Sequence, residues 1–401
     1  MVVVNQTDER ETWIVGGTVV LPDRTVKSNI RVLNGKIAEL TEQPISVTSE
    51  SSVIDATGLW VLPGFIDLHC DAIEKEVEPR PNTLFPPRAA IAELEKKLAA
   101  AGITTMFHSL SLGTGLSLRG LDAVEQVVAE IERLKRAESM TRHRLHLRYE
   151  VLYREFLDKA TQWIREGKVD YFSYMIHAPG IGQYKRPGSF EKYVMKNQGI
   201  TIDEVREVVK NVQKMAAEVD WNDIAKLTDL ARAHRITVAS HDDDSTDDID
   251  RAHRLGAKVS EFPLNLQTAA YARSQGLHVC VGAPNVVRGQ SHDHNLRAFE
   301  AIRAGEANIL CSDYYPPSML LAIFKLYHEE RIPLPDAVKM ASLHPAIAAG
   351  ISDRFGSIEP GHFADLLLVE ETEGLPVVRR TLINGKTVYL ANRILADSYE
   401  K

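Results

Sequence analysis

The sequence predicts an α/β protein in which a (β/α)8 TIM-like barrel carries a small β-sandwich domain formed by both chain termini. Strand-like and helical segments alternate through the middle of the chain, which indicates a parallel sheet, and eight such units indicate a closed barrel. The same two-residue hairpin signal stands near each end, at Asn34-Gly35 and at Asn384-Gly385. We therefore expect the β-sandwich to comprise residues 1–62 and 351–401 and the barrel to comprise residues 63–350.

Composition narrows the class of protein. The 401 residues are 44% hydrophobic and 25% charged, with a net charge of -8, which is typical of a soluble globular protein. No apolar run approaches the roughly 20 residues of a membrane span, and the N-terminal residues do not form a secretory signal. Cys70, Cys280 and Cys311 are widely spaced, which favours the reducing cytoplasm over a disulfide framework. The negative charge argues against nucleic-acid and membrane binding.

Each barrel strand is predicted from a short apolar or β-branched run that is bounded by turn-forming residues. The first strand has Pro63 and Gly64 before its apolar residues. The eight predicted strands lie within 61–71, 103–113, 144–153, 169–178, 235–243, 257–265, 277–285 and 307–317. Helical patterns between them include 88–101, 121–137, 220–234 and 246–255. The segment 178–200 contains Pro and Gly and is predicted to be a loop over the barrel mouth.

Side chains that can bind metal stand at the ends of five predicted strands. They are His69 with Asp71, Glu150, His177, His241 and Asp313. Because the carboxyl ends of all barrel strands meet at one mouth, we expect these residues to converge there. Each alone has an ordinary alternative, such as a surface charge or a helix cap. Together they predict a site for two divalent metal ions, with zinc as the first expectation and manganese or iron as alternatives.

Several strings of the sequence resemble the amidohydrolase superfamily. The resemblance is carried by LPGFIDLH, by His241 and Asp313 after their strands, and by the return segment GSIEPGHFADLLLVE. Similarity to the phosphonate-metabolism branch of that superfamily is carried by SHDDDST, GAPNVVRGQS and SDYYPPSML. It implies a hydrolase of phosphonate catabolism, in the C–P lyase pathway. The substrate of this hydrolase would be an anionic small molecule, alpha-D-ribose 1-methylphosphonate 5-triphosphate. A metal-activated hydroxide would cleave it to the 5-phosphate and pyrophosphate.

The resemblance also implies roles for residues at the mouth. Asp313 is expected to be a metal ligand and the catalytic group that takes up and returns the reacting proton. The chain has HxD where HxH is usual, and it lacks the frequent bridging lysine, for which Glu150 is the expected substitute. Glu261 stands where many relatives have a histidine, and we expect it to bind metal, to accept a hydrogen bond from His241, or to pair with a nearby basic side chain.

A substrate with several phosphate groups requires cations besides the metal ions. Arg148 lies two residues before Glu150 on the same strand, so it should face the same interior side. Arg288 follows the seventh strand, in the barrel region where phosphate sites recur, and we expect it to grip phosphate. The expected substrate-binding residues are Arg148, Lys185, Arg186, Asp242, Glu261, Arg288 and His292.

Two other functions stay open. Most of the superfamily hydrolyses C–N bonds, so a deaminase or deacetylase is the main alternative, with Asp313 protonating the leaving amine. A non-catalytic scaffold is less favoured, because such barrels lose metal ligands and every expected position here holds a competent side chain. A homo-oligomer is compatible with the sequence.

Overall fold

The N-terminal strands build most of one β-sheet. The structure, a computed structural model, describes residues 11–45, 51–80, 83–113, 121–198, 201–290 and 295–392. The first strands are β1 (Glu11–Val20), β2 (Thr25–Leu33), β3 (Lys36–Thr41), β4 (Ser52–Asp55) and β5 (Trp60–Pro63). β1 pairs antiparallel with β2 and parallel with β4 and β5. The sheet is therefore mixed from its first strand onward.

Eight parallel strands form the barrel, and each pairs with the next along the chain. They are β6 (Phe65–Cys70), β7 (Ile103–Leu112), β8 (Arg142–Glu150), β9 (Tyr171–Met175), β10 (Thr237–His241), β11 (Val259–Glu261), β12 (His278–Gly282) and β13 (Ile309–Cys311). A bridge between Cys70 and Asp313 brings the end of β13 back to β6. Asp313 N donates to His69 O at 2.9 Å across the same junction. The predicted (β/α)8 barrel is confirmed.

The barrel strands are buried on both faces, because helices cover the outside and side chains fill the inside. All ten residues of β7 are buried. The interior is filled by residues that include Leu68 of β6, Phe107 of β7, Tyr171 of β9 and Val259 of β11. Dense packing of this kind fixes the strand ends, and it therefore fixes the directions of the side chains that follow them.

Helices pack around the barrel through apolar stripes. In α3, Val124, Val127, Val128 and Ile131 are buried at helical spacing. The helices are α1 (Ala72–Val77), α2 (Pro87–Ala100), α3 (Leu121–Leu134), α4 (Leu157–Arg165), α5 (Ser189–Gln198), α6 (Ile202–Ala217), α7 (Trp221–Ala233), α8 (Thr246–Arg254), α9 (Leu266–Ser274), α10 (Ala283–Arg288), α11 (Ala298–Arg303), α12 (Ser318–His328), α13 (Leu334–Lys339) and α14 (Leu343–Ala348). Across the described ranges, we find no helix with the length and apolar character that crossing a membrane requires.

The segment 178–200 differs from the sequence-based prediction of a loop. It contains α5, which begins at Ser189 directly after Gly188. Phe190 and Val194, one helical turn apart, are buried in a cluster with Val205 of α6. These contacts with a neighbouring helix stabilise α5, and a reading of Pro and Gly content alone did not reveal them.

The C-terminal strands complete the terminal sheet. They are β14 (Leu366–Thr372), β15 (Leu375–Ile383) and β16 (Lys386–Leu390). The order β16-β15-β14-β5-β1-β2-β3 places the C-terminal strands beside β5. The prediction that both termini build one β-sandwich is thus confirmed.

The two predicted hairpin turns meet in space. Asn34 and Asn384 have φ values of 52° and 50°, in the left-handed region that a two-residue hairpin requires. Gly35 O accepts a hydrogen bond from Ala364 N at 2.9 Å, and Ala364 O accepts one from Gly385 N at 2.8 Å. A single short segment therefore links the turns of the two chain ends.

Arg142, the first residue of β8, joins the barrel to the terminal domain. Its guanidinium pairs with the buried Asp365 and lies 4.6 Å from the ring centroid of Phe355. Removing the guanidinium would leave the Asp365 charge buried and unpaired. We therefore expect Arg142→Met to lower the free energy of unfolding by about 3 kcal/mol, measured by urea denaturation.

The matched control is Arg24→Met, which removes an ion pair with Asp23 whose side chains are 62% and 69% exposed. An exposed pair of this kind contributes little, so the free energy of unfolding should change by less than about 0.5 kcal/mol. Equal effects of the two substitutions would contradict the coupling role of Arg142.

Candidate metal centre

A cavity of about 260 Å³ opens at the carboxyl ends of the barrel strands. Its lining residues are His69, Asp71, Arg148, His177, Gln183, Tyr184, His241, Asp242, Phe262 and Asp313. Five of the six predicted metal ligands are in this set, and the sixth, Glu150, contacts His177 from outside it. The strand-end residues selected from the sequence therefore lie together in the structure.

His69 and Glu261 form a buried pair in the barrel. The distance from His69 Nδ1 to Glu261 Oε2 is 3.1 Å. Burial, followed by the positive charge of Arg148, holds the pKa of His69 well below its usual range. A neutral imidazole is the form that binds metal ions. The sequence left three roles open for Glu261: a metal ligand, the acceptor for His241, or the partner of a nearby basic side chain. In the structure the carboxylate contacts His69, because both side chains project into the barrel.

Both carboxylate oxygens of Glu150 contact His177. Oε2 lies 2.7 Å from His177 Nδ1, and Oε1 accepts a hydrogen bond from His177 N at 3.2 Å. Burial lowers the pKa of His177, but the charges of Glu150 and Asp242 outweigh it and raise the pKa to about 9. Two contacts to one residue fix the ring orientation, so His177 Nε2 faces Asp242 at 3.7 Å.

Asp242 lies between two histidine rings. Its Oδ2 is 3.3 Å from His241 Nδ1 and also accepts a hydrogen bond from Gln183 Nε2 at 2.8 Å. Burial raises the pKa of Asp242, but the neighbouring His241 and His177 outweigh burial and hold it well below its usual range. The ionised carboxylate and the two imidazole rings can all bind metal, so Asp242 is a candidate metal ligand beside His177 and His241.

Three residues beside the cavity have left-handed backbone conformations. The φ values of Asp242, Phe262 and Asp313 are 57°, 54° and 58°, which residues other than glycine rarely adopt. Each conformation costs about 1–3 kcal/mol and persists because neighbouring structure holds it. Asp242 N donates to Glu261 O and Phe262 N donates to Cys280 O, each at 2.9 Å. Strain concentrated at strand ends in this way is typical of a functional site.

Asp313 lies beside Asp71 at the closing junction of the barrel. Burial, followed by the negative charge of Asp71, raises the pKa of Asp313 to about 7. Within the described ranges, Asp71 Oδ1 is buried without a hydrogen-bond partner. A carboxylate with a pKa near neutrality can accept a proton and return it during turnover.

The donor set fits a divalent cation. Two groups of side chains have ligand atoms within 4.8 Å of one another, and these are His69, His241 and Glu261, and His177, His241 and Asp242. In the described part of the chain, Glu261 Oε1 and Asp71 Oδ1 are buried and have no hydrogen-bond partner. Leaving such atoms unsatisfied costs about 1–3 kcal/mol each, which a bound cation would offset. Imidazole and carboxylate ligands suit zinc, manganese and iron.

The basic residues that were expected to bind substrate do not all line the cavity. Arg148 lines the cavity and is 7% exposed. Lys185 is exposed and pairs with Asp244 on the loop after β10. Arg186 is exposed, Arg288 is exposed at the last residue of α10 and outside the cavity lining, and His292 lies outside the described residues.

Sequence reasoning did not select several side chains of this region. Gln183 and Tyr184 lie in the segment that was predicted as a loop, and Phe262 follows β11. His146 has Nε2 4.0 Å from Glu261 Oε2 and 2.7 Å from Ser173 Oγ. Its alternation with Arg148 along β8 was the available signal, because alternate residues of a strand share a face.

The fold and the site together define a barrel hydrolase with side chains that can bind metal. The chain belongs to the amidohydrolase family, whose model matches residues 60–388.

Comparison with curated proteins and solved structures agrees with that assignment. The chain is 32% identical over 377 residues to the alpha-D-ribose 1-methylphosphonate 5-triphosphate diphosphatase of Escherichia coli (strain K12), covering 92% of this chain and 98% of the relative. It is 22% identical over 462 residues to a dihydroorotase of Wolbachia sp. subsp. Drosophila simulans (strain wRi), covering 96% and 97%. A solved Xaa-Pro dipeptidase with bound methionine has a TM-score of 0.66 at 15% identity, covering 95% of this chain and 100% of that one. The structural likeness shows the fold.

The contacts of Glu150 predict how metal binding responds to its substitution. Because both oxygens hold His177, Glu150→Gln should lower zinc affinity by about 10–100-fold and leave the number of ions bound at saturation unchanged. Competition with a chromophoric chelator measures the affinity, and elemental analysis measures the stoichiometry.

Glu95→Gln is the matched control, because Glu95 Oε1 contacts His143 Nε2 at 2.9 Å away from the cavity. We expect it to leave zinc affinity unchanged. Loss of an ion from Glu150→Gln at saturating zinc would instead support the bridging-ligand role that the sequence suggested, and it would contradict a positioning role.

Proposed function

We propose that the protein hydrolyses alpha-D-ribose 1-methylphosphonate 5-triphosphate to the 5-phosphate and pyrophosphate, as a step of phosphonate catabolism. The Escherichia coli relative suggests the identity of the substrate. The observation in the structure that carries the proposal is Arg148, a buried guanidinium in the same cavity as the metal-binding side chains. The three cysteines are buried and unpaired, which supports action in the reducing cytoplasm.

Arg148 provides hydrogen-bond donors that suit phosphate. Its Nη2 lies 3.2 Å from His241 Nε2. Its Nε is buried and, within the described ranges, has no hydrogen-bond partner. A guanidinium binds phosphate oxygens through parallel hydrogen bonds, and those bonds are strong in a site shielded from water. Arg148 would therefore hold the reacting phosphate group against the histidines and carboxylates.

The proposed reaction assigns a task to each group of residues. His69, His177, His241 and Asp242 would hold two divalent ions, with zinc as the first expectation. Such ions, when bound, lower the pKa of water and offset the charge on phosphate oxygens. Asp313 would take the proton from the attacking water and return it to the departing pyrophosphate.

Hydrolysis of a C–N bond is the second candidate function. It is favoured by the names of other relatives, a dihydroorotase at 22% identity and an imidazolonepropionase at 22% identity. In that reaction Asp313 would protonate the leaving amine instead of the departing pyrophosphate. A scaffold without catalysis is less favoured, because the cavity retains a complete set of histidine and carboxylate donors.

Phosphorus NMR of the zinc-loaded protein with the ribose triphosphate tests the proposal directly. We expect signals of pyrophosphate and of the 5-phosphate to appear together, and we expect prior chelation to abolish them. Release of ammonia from purines or of acetate from N-acetyl sugars, without pyrophosphate, would support the second candidate instead.

The same assay tests the arginine. Arg148→Ala should lower kcat/KM by at least about a hundredfold, near 3 kcal/mol, with metal content unchanged, and Arg148→Lys should recover part of the loss. Arg206→Ala, on the exposed face of α6, is the control. Arg288→Ala in this assay shows whether that residue also grips phosphate, as its sequence context predicts. Retained activity in Arg148→Ala, or a failure caused by metal loss, would contradict the assignment of Arg148.

A further inference from the structure

A second cavity adjoins the metal-binding cavity, and we call it the side cavity. It shares Gln183, Asp242, Phe262 and Asp313 with the first, so the two cavities adjoin at the strand ends. It then extends toward α10, where Asn285 lies in its lining. A substrate whose reacting group lies among the histidines could therefore place a second part in the side cavity.

The charge of the side cavity limits what that second part can be. Among the described residues that line it there is no lysine or arginine, and its charged residues are the shared Asp242 and Asp313. Several phosphate groups would be desolvated there without a cation. Arg148, by contrast, lines the first cavity and is absent from the lining of the second. The triphosphate end is thus directed to the first cavity, and a group without charge suits the second.

Gly282 leaves space in the side cavity because it has no side chain. Its φ is -76°, a value that any residue adopts, so the backbone does not require glycine. A Cβ atom at this position would lie 3.5 Å from Asp313 Oδ2 and 3.7 Å from Asn285 Nδ2. These are ordinary contact distances, so alanine fits without displacing neighbours. The missing side chain therefore leaves room between the proton-accepting carboxylate and the Asn285 amide.

We propose that the side cavity binds the hydroxyl-bearing sugar of a sugar phosphate and that Asn285 determines specificity for it. An amide can donate to one hydroxyl oxygen and accept from another hydroxyl, which matches neighbouring hydroxyls on a ribose ring. Pro263 and Leu264, in the same lining, offer apolar contact to the carbon face of the ring. This inference rests on the proposed function, since it assigns the sugar ring and the triphosphate to separate parts of one site and leaves the anionic 1-methylphosphonate outside the side cavity.

Calorimetric titration of the zinc-loaded protein with two probes tests the inference. The probes are ribose 5-phosphate and inorganic phosphate, and the measured quantity is the ratio of their Kd values. We expect the wild type to bind ribose 5-phosphate at least about tenfold more tightly. Asn285→Leu should lower that preference by about tenfold, because the amide hydrogen bonds are lost. Gly282→Ala should also lower it, because the added methyl group fills part of the side cavity.

Asn222→Leu, at an exposed position of α7, is the control and should leave the preference unchanged within about twofold. A wild type without preference for ribose 5-phosphate would overturn the inference, and so would a preference that survives both Asn285→Leu and Gly282→Ala. If the protein hydrolyses the triphosphate but both variants keep the wild-type preference for ribose 5-phosphate, the sugar site is overturned and the proposed function stands. The expected loss of preference in a protein without triphosphate turnover would support the sugar site and overturn only the proposed function.

Discussion

At the barrel mouth, buried carboxylate oxygens that can bind metal have no hydrogen-bond partner in the protein. The rest of the site depends on this. In the described residues, Glu261 Oε1 and Asp71 Oδ1 have no hydrogen-bond partner. Burying polar atoms in this state destabilises the fold unless something binds them. A divalent cation can bind several such polar atoms at once. The same buried atoms therefore destabilise the protein without metal and enable it to bind metal.

The barrel supplies the rigidity that makes such burial possible. Its strands are packed on both faces, and the closing contact between Asp313 N and His69 O joins the first and last strands beside the cavity. The left-handed conformations of Asp242 and Asp313 are held by hydrogen bonds within this frame. Arg142 performs a related task at the opposite strand ends, where it ties the barrel to the terminal domain. Stability of the scaffold thus offsets strain at the site.

The sequence was informative wherever structure is local. Alternation of strands and helices predicted the barrel, and the rule that strand ends meet at one mouth predicted that His69 and Asp313 share one site. Contacts between distant segments were not predictable in this way. The pairing of Glu261 with His69, and the entry of Gln183 into the cavity, depend on tertiary packing. The exposed position of Arg288 depends on where α10 ends, which the residue pattern does not determine.

Anomalous diffraction from crystals of the zinc-loaded protein, collected on both sides of the zinc absorption edge, tests whether the cavity holds two divalent ions. We predict two anomalous peaks about 3.5–4 Å apart in the cavity, one beside His69 and one beside His177. Each should lie about 2.0–2.2 Å from its nitrogen or oxygen ligands. Peaks confined to surface histidines, or a cavity whose donors pair directly with one another after zinc loading, would contradict the account.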